Sequence, residues 1–83
     1  MKEKITIIVH LPDDGKEDLE VPIFITANDL ILALDQIYSL NINKADMHHY
    51  YLKADNPKAL LRGNRTLKEY DLRDGTMVWL WNR

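Results

Sequence analysis

The segment NRTLKEYDLRDGTMVWLW, residues 64–81, decides the fold of this chain. Within it, Leu67, Tyr70 and Leu72 form an apolar cluster of the L-x-x-Y-x-L type. A turn at Asp74-Gly75 follows, because aspartate bonds to nearby backbone and glycine accepts a positive φ. The residues after the turn alternate between the two faces of an extended chain. The segment therefore predicts an apolar cluster and a turn that lead into a closing strand.

Two strands at the start of the chain predict a hairpin. Residues 4–11 and 18–25 each carry apolar side chains at a period of two, which is typical of half-buried strands. Residues 12–16 have turn chemistry, with Gly15 expected to accept a positive φ. Pro22 cannot donate to a strand ladder, so it indicates an edge strand or a bulge near the strand's end.

A helix is predicted from Thr26 to about residue 40, where the apolar period changes from two to that of a helix. Thr26 and Asp29 approximate a capping box, with Asn28 as the alternative cap. Asn41 or Asn43 is expected to end the helix, because asparagine tolerates left-handed geometry. The buried stripe of this helix is expected to comprise Ala27, Leu30, Ile31, Leu34, Ile37 and Tyr38.

Three strands complete the chain: residues 49–54, residues 59–61 and the closing strand. The order β-β-α-β-β-β predicts an α+β fold of the β-grasp type, a mixed sheet with one helix packed across one face. The first and last strands are expected to be parallel neighbours at the centre. The side chains expected to be buried are Ile5, Ile7, Val9, Leu19, Val21, Leu30, Leu34, Leu67, Leu72, Val78 and Leu80.

The length and composition of the chain exclude several classes of protein. A chain of 83 residues has room for one core, so residues 1–83 are expected to form a single domain. The absence of cysteine excludes a disulfide framework and suits a reducing cytoplasm. We find no signal-peptide pattern and no apolar run long enough to insert into a membrane. Basic and acidic residues are interspersed and the net charge is −2, so the sequence shows no basic patch of the kind that binds nucleic acid.

The sequence predicts neither an enzyme nor a cofactor or metal site. His48 and His49 lie near Asp46, but adjacent residues on a strand point to opposite faces, so both rings cannot easily reach one ion. His10, on an outward strand face, is expected to be solvated. Acidic residues cluster only in or beside the first hairpin loop, and the three glycines form no phosphate-binding loop.

The closing strand predicts a protein-binding surface. If Val78 and Leu80 face the helix, Met77, Trp79 and Trp81 must face away from it. Aromatic residues dominate interface hot spots, and exposed apolar patches usually mark a partner. If the strand register is shifted by one residue, both tryptophans point inward instead. A further alternative is that the patch is exposed but only supports a homodimer or a crystal contact. The residues expected to bind the partner are Ile8, His10, Tyr51, Met77, Trp79 and Trp81.

With its elements placed, the chain resembles ubiquitin, with which residues 64–83 align without a gap. It is more similar to the small bacterial proteins YukD and EsaB, on Arg65-x-Leu67 and Asp74-Gly75-x-x-Val78-x-Leu80. This resemblance implies a cytosolic accessory component of a type VII (ESAT-6/WXG100) secretion system in a Gram-positive bacterium. It also implies that the chain acts by binding a protein of that system, and that the hydroxyl of Tyr70 anchors a loop.

Two other functions fit the same fold. A sulfur carrier or protein modifier needs a Gly-Gly end that an activating enzyme can adenylate. Asn82-Arg83 cannot serve in that role unless the native chain is longer, so we expect no conjugation. A scaffold or Ras-binding-type regulatory module unrelated to secretion is the second alternative, and the sequence leaves it open.

Overall fold

Within residues 3–82, five strands and one α-helix follow the predicted order. The computed structural model describes these residues apart from the side chains of Met47, Trp81 and Asn82. The elements are β1 (Lys4–His10), β2 (Lys16–Pro22), α1 (Ala27–Tyr38), a 3₁₀ segment (Lys44–His49), β3 (Tyr50–Asp55), β4 (Ala59–Leu61) and β5 (Met77–Asn82). No helix in this part of the chain has both the length and the apolar character needed to cross a membrane.

The sheet has the order β2-β1-β5-β3-β4, with β1 and β5 parallel and all other neighbours antiparallel. The helix packs across one face, so the β-grasp prediction is confirmed. Pro22 is the last residue of β2, which is an edge strand. Its missing N–H therefore leaves the interior of the sheet intact, as expected for a strand proline.

The start of α1 was predicted correctly and its end was not. Asp29 N–H donates to Thr26 Oγ1 at 3.1 Å, and Thr26 N–H donates to Asp29 Oδ2 at 3.3 Å, which completes a capping box. The helix ends at Ser39, in the left-handed region with φ of 54°, rather than at Asn41 or Asn43. Ser39 N–H still reaches the Asp35 carbonyl at 2.8 Å, which closes the last turn earlier.

The first hairpin differs from its prediction in the bounds of its second strand and in one turn residue. The second strand was predicted at residues 18–25, but β2 begins at Lys16 and ends at Pro22. Asp14, with φ of 68°, adopts the left-handed conformation that Gly15 was expected to take. Asp14 tolerates this geometry because aspartate is among the few side chains that visit it. The Asp13 carboxylate then accepts a hydrogen bond from Gly15 N–H at 3.0 Å, which fixes the turn.

The core lies between α1 and the inner face of the sheet. All the residues expected to be buried are buried except Leu19 and Leu80, which are half-buried and pack against the core. Ile37 was expected on the buried stripe of α1 but is 54% exposed. Ile42, in the loop after the helix, is buried instead, held by a hydrogen bond of 3.2 Å from its N–H to Asp35 Oδ1.

Candidate protein-binding surface

The face of the sheet that points away from α1 is called the outer face here. The residues predicted to bind a partner lie on three adjacent strands of this face, because β5 lies between β1 and β3. In the backbone register, Ile8 is opposite Met77 and His10 is opposite Trp79. Tyr51 is the partner of Trp81 on the other side of β5. The side chain of Trp81 lies outside the described part of the structure.

Trp79 is the centre of the outer face. Val78 before it is fully buried, so Trp79 points to the opposite side of the sheet, which favours the outward register over the alternative. The rings of Trp79 and His10 stack with centroids 4.4 Å apart and planes 24° apart. Trp79 is consequently half-buried rather than fully exposed. The stack gives the indole a fixed position that a partner can meet.

His10 is less solvated than its strand position suggested. Its side chain is half-buried, and its Nε2 atom is buried with no hydrogen-bond partner among the described residues. Stacking on Trp79 covers the ring, which is the physical reason that the expectation of a solvated histidine was wrong. A buried polar atom without a partner is a cost to the fold, so the stack must compensate for it.

An apolar pocket of about 690 Å³ adjoins Trp79 at the β3–β4 end of the outer face. Leu60 and Trp79 line it together with the charged residues Lys53, Asp55 and Lys58. Leu60 is 53% exposed, although it is a large apolar residue. Sequence analysis did not assign Leu60 to the surface. The signal was present, since Leu60 and Leu61 are adjacent on a strand and only one of them can face the core.

The turn before β5 is anchored so that the position of Trp79 is set. Gly75 N–H donates to the Thr6 carbonyl at 2.8 Å, and Thr6 N–H donates to Asp74 Oδ1 at 2.8 Å. Gly75 has φ of 88°, a conformation that other residues rarely adopt. Thr76 is fully buried and its hydroxyl donates to the Asn56 carbonyl at 2.7 Å. These bonds tie the start of β5 to β1 and to the β3–β4 turn.

Tyr70 anchors a loop, as the resemblance implied. Its hydroxyl donates to the Arg62 carbonyl at 3.0 Å and accepts from Arg62 N–H at 3.4 Å. A half-buried tyrosine usually needs such partners for its hydroxyl. Tyr70 therefore holds the backbone just after β4, next to the exposed Leu60.

The pair His48 and His49 is not on a strand, which corrects the reason given for discounting it. Both residues end the 3₁₀ segment, and their rings lie 4.0 Å apart at 42°. The opposite-face argument fails because successive side chains of a 3₁₀ turn are about 120° apart rather than on opposite faces, so the two rings can meet. Among the described residues, no group of three or more potential metal ligands lies together.

The sequence matches one protein family over nearly its whole length. The family is described as "WXG100 protein secretion system (Wss), protein YukD", and the match covers residues 4–80. The chain belongs to the YukD family. As a YukD-family member, it is an accessory ubiquitin-like protein of the type VII secretion class. Among curated proteins, none matches the sequence significantly.

Solved structures show that this YukD-family chain has the ubiquitin-like fold. The ubiquitin-like domain of an Arabidopsis thaliana protein has a TM-score of 0.74 at 18% identity, covering 98% of this chain and 79% of that one. The UBL domain of Plasmodium falciparum Dsk2 has a TM-score of 0.73 at 14% identity, covering 96% and 99%. A de novo design based on ubiquitin has a TM-score of 0.73 at 16% identity, covering 98% and 90%.

Proposed function

We propose that this chain is one ubiquitin-like domain that binds, without being conjugated, a protein component of a bacterial type VII (WXG100) secretion system in the cytoplasm. Membership of the YukD family supports the pathway. The outer face is the proposed working surface, with Ile8, His10, Tyr51, Met77, Trp79 and Trp81 as its contact residues.

The observation that carries the proposal is the position of Trp79. It combines a large apolar ring, a fixed stack on His10 and an adjoining apolar pocket. Tryptophan is the residue most enriched at interface hot spots, and such hot spots pair with pockets near the centre of an interface. A ring that is already held in place also loses little conformational freedom when a partner docks.

The pocket suggests how a partner engages the outer face. An apolar side chain of the partner would enter the pocket and contact Trp79 and Leu60. Lys53, Asp55 and Lys58 also line the pocket and would meet polar groups of the partner beside the apolar anchor. An apolar centre with a polar rim is the usual anatomy of a protein–protein interface.

Binding rather than chemistry is the mode of action that we propose. The six proposed contact residues are mainly apolar and aromatic, which suits contact with a protein more than proton transfer or nucleophilic attack. No Gly-Gly pair occurs in the 83 residues, so none of them offers the end that an activating enzyme requires. Self-association through the same face is the outcome to expect if the partner is a second copy.

Calorimetric titration against purified proteins of the WXG100 secretion system tests the proposal. We expect saturable binding of the wild-type chain to one of them and a loss of at least ~2 kcal/mol, about thirtyfold in affinity, for Trp79→Thr. Threonine keeps the β propensity of the strand. Loss of the stack on His10 is expected to lower the free energy of unfolding by about 1 kcal/mol, which leaves the chain folded.

Phe24→Thr is the matched control. Phe24 is an aromatic residue in the loop between β2 and α1, 49% exposed, with Lys68 Nζ 5.2 Å from its ring centroid. Because Phe24 is not on the outer face, its replacement should leave binding within about twofold of wild type. Equal losses for Phe24→Thr and Trp79→Thr would contradict the assignment of the surface. If Trp79→Thr bound as tightly as wild type, the outer face would not be the working surface.

A further inference from the structure

A second concavity, of about 950 Å³, lies between the start of α1, the 3₁₀ segment and the loop after β4. Four basic side chains line it, and all four are exposed: Lys44, His48, Arg62 and Arg65. This feature is called the basic concavity below. Among the described residues, no aspartate or glutamate lines it. The concavity carries the three positive charges of Lys44, Arg62 and Arg65 beside the imidazole of His48.

This positive charge contrasts with the net charge of the whole chain, which is −2. Four carboxylates lie next to lining residues in the sequence, namely Asp29, Asp46, Glu69 and Asp71, and each accepts a hydrogen bond from a residue outside the lining. Glu69 accepts from Thr66 N–H at 3.0 Å, and Asp46 accepts from Asn43 Nδ2 at 3.1 Å. Hydrogen bonds from Thr66 lower the pKa of Glu69, and the charge of Arg65 adds a smaller effect in the same direction. One sign of charge in a concave site focuses the field and attracts a local counter-charge.

The loop that carries the arginines is fixed to α1. Asn28 N–H donates to the Gly63 carbonyl at 3.1 Å, and Gly63 N–H returns a bond of 3.2 Å to Asn28 Oδ1. Ala27 N–H donates to the Arg65 carbonyl at 2.9 Å. Three bonds thus hold the loop against the first turn of the helix.

Tyr70 positions both arginines of the basic concavity. Its hydroxyl holds the backbone of Arg62, and its ring lies under the guanidinium of Arg65, with Cζ 4.8 Å from the centroid. A cation over an aromatic face is restrained yet keeps its N–H donors. The site is therefore preorganised for an anion, which reduces the ordering cost of binding.

We propose that the basic concavity binds an acidic peptide segment of a partner protein. Arginine pairs with carboxylate through two parallel hydrogen bonds, which suits Arg62 and Arg65. Leu60 and the Tyr70 ring line the same site and offer an apolar surface to a hydrophobic residue of the segment. Leu60 also lines the pocket beside Trp79, so the two surfaces meet at one residue.

A protein segment fits better than nucleic acid or a membrane. Those polyanions bind across broad basic surfaces, whereas this site is one concavity with three Lys or Arg side chains, on a chain of net charge −2. The basic concavity shares only Leu60 with the pocket beside Trp79, and its basic side chains can be mutated without changing the proposed contact residues of the outer face. Failure of one proposal therefore does not decide the other.

Amide NMR titration of the full chain with the capped hexapeptide ELEELE tests the proposal. We expect saturable shifts at Asn28, Lys44, Arg62 and Gly63 that weaken as salt is added, and none with the capped peptide KLKKLK. Arg62→Gln/Arg65→Gln should weaken ELEELE binding by about tenfold. Trp79→Thr should leave the peptide shifts unchanged.

Lys4→Gln/Lys16→Gln is the matched control, because it removes the same charge from two exposed lysines of β1 and β2 that do not line the concavity. It should keep the wild-type affinity for ELEELE. If the double arginine variant loses amide dispersion, Lys44→Gln decides, since Lys44 is not in the loop that Tyr70 holds. No shift with ELEELE, equal weakening by both double variants, or binding of phosphatidylglycerol vesicles in place of the peptide would each overturn the proposal.

Discussion

Truncation of Leu34 tests the packing of the helix against the sheet. Leu34 is 1% exposed in the middle of α1, and it belongs to the core cluster. Leu34→Ala removes its outer methyl groups and leaves a cavity, which costs about 2–5 kcal/mol in proteins of known energetics. A chain of this size has a total stability of only about 4–12 kcal/mol. The variant is therefore expected to lose a large share of its stability.

Ile37→Ala on the same helix is the matched variant. Ile37 is 54% exposed, so its truncation should cost less than about 1 kcal/mol. Urea and thermal unfolding, followed by circular dichroism, measure the stability of both variants against wild type. A loss of 3 kcal/mol should lower the Tm of Leu34→Ala by about 15 °C. The placement of α1 is refuted if Leu34→Ala melts within about 2 °C of wild type, or if Ile37→Ala costs as much.

Three further perturbations have defined outcomes. Tyr70→Phe removes both hydroxyl bonds to Arg62 and should cost about 1–2 kcal/mol in urea unfolding; no change would show that the loop is not anchored there. Thr26→Ala removes the cap of α1 and should cost about 1 kcal/mol, whereas Thr26→Ser should retain most of it. Hydrogen bonds from Thr66 lower the pKa of Glu69, so this carboxylate stabilises the fold above the ordinary glutamate pKa and loses that effect as pH falls through the lowered value. The Tm difference between wild type and Glu69→Gln should therefore shrink on acidification, and a constant difference would exclude the charge effect.

The order of elements could be predicted because several local signals agreed with the fold. Pro22 indicated an edge strand, and Thr26 with Asp29 indicated the start of α1. The alternation around Val78 indicated which side of β5 enters the core. Each of these signals depends on residues within one turn of a helix or one strand, where sequence spacing fixes geometry.

The errors occurred where tertiary contacts decide between local options. Both Ser39 and Asn41 have positive φ, and the bond from Ser39 to Asp35 selects the earlier end. Ile37 has the correct helical spacing for the core, yet Ile42 is buried instead. His49 was assigned to a strand that begins one residue later, at Tyr50. Spacing alone does not show which of two neighbouring candidates a distant contact will favour.

The two candidate surfaces differ in how far sequence could reveal them. The outer face follows from strand alternation, and the stack of His10 on Trp79 was missed because it needs the register between β1 and β5. The basic concavity draws Lys44 and Arg62 from separate segments of a chain whose charges are interspersed. No sequence window contains that cluster, so only the fold brings it together.

The most direct test of the proposed binding surface is an NMR map of the wild-type chain with the secretion-system protein that binds it. We expect the shift changes to concentrate at Ile8, His10, Tyr51, Met77 and Trp79, on adjacent strands of the outer face. The opposite side of the molecule offers an exposed apolar residue at Ile37. Shift changes centred on the solvent side of α1, with the outer face unaffected, would contradict the account.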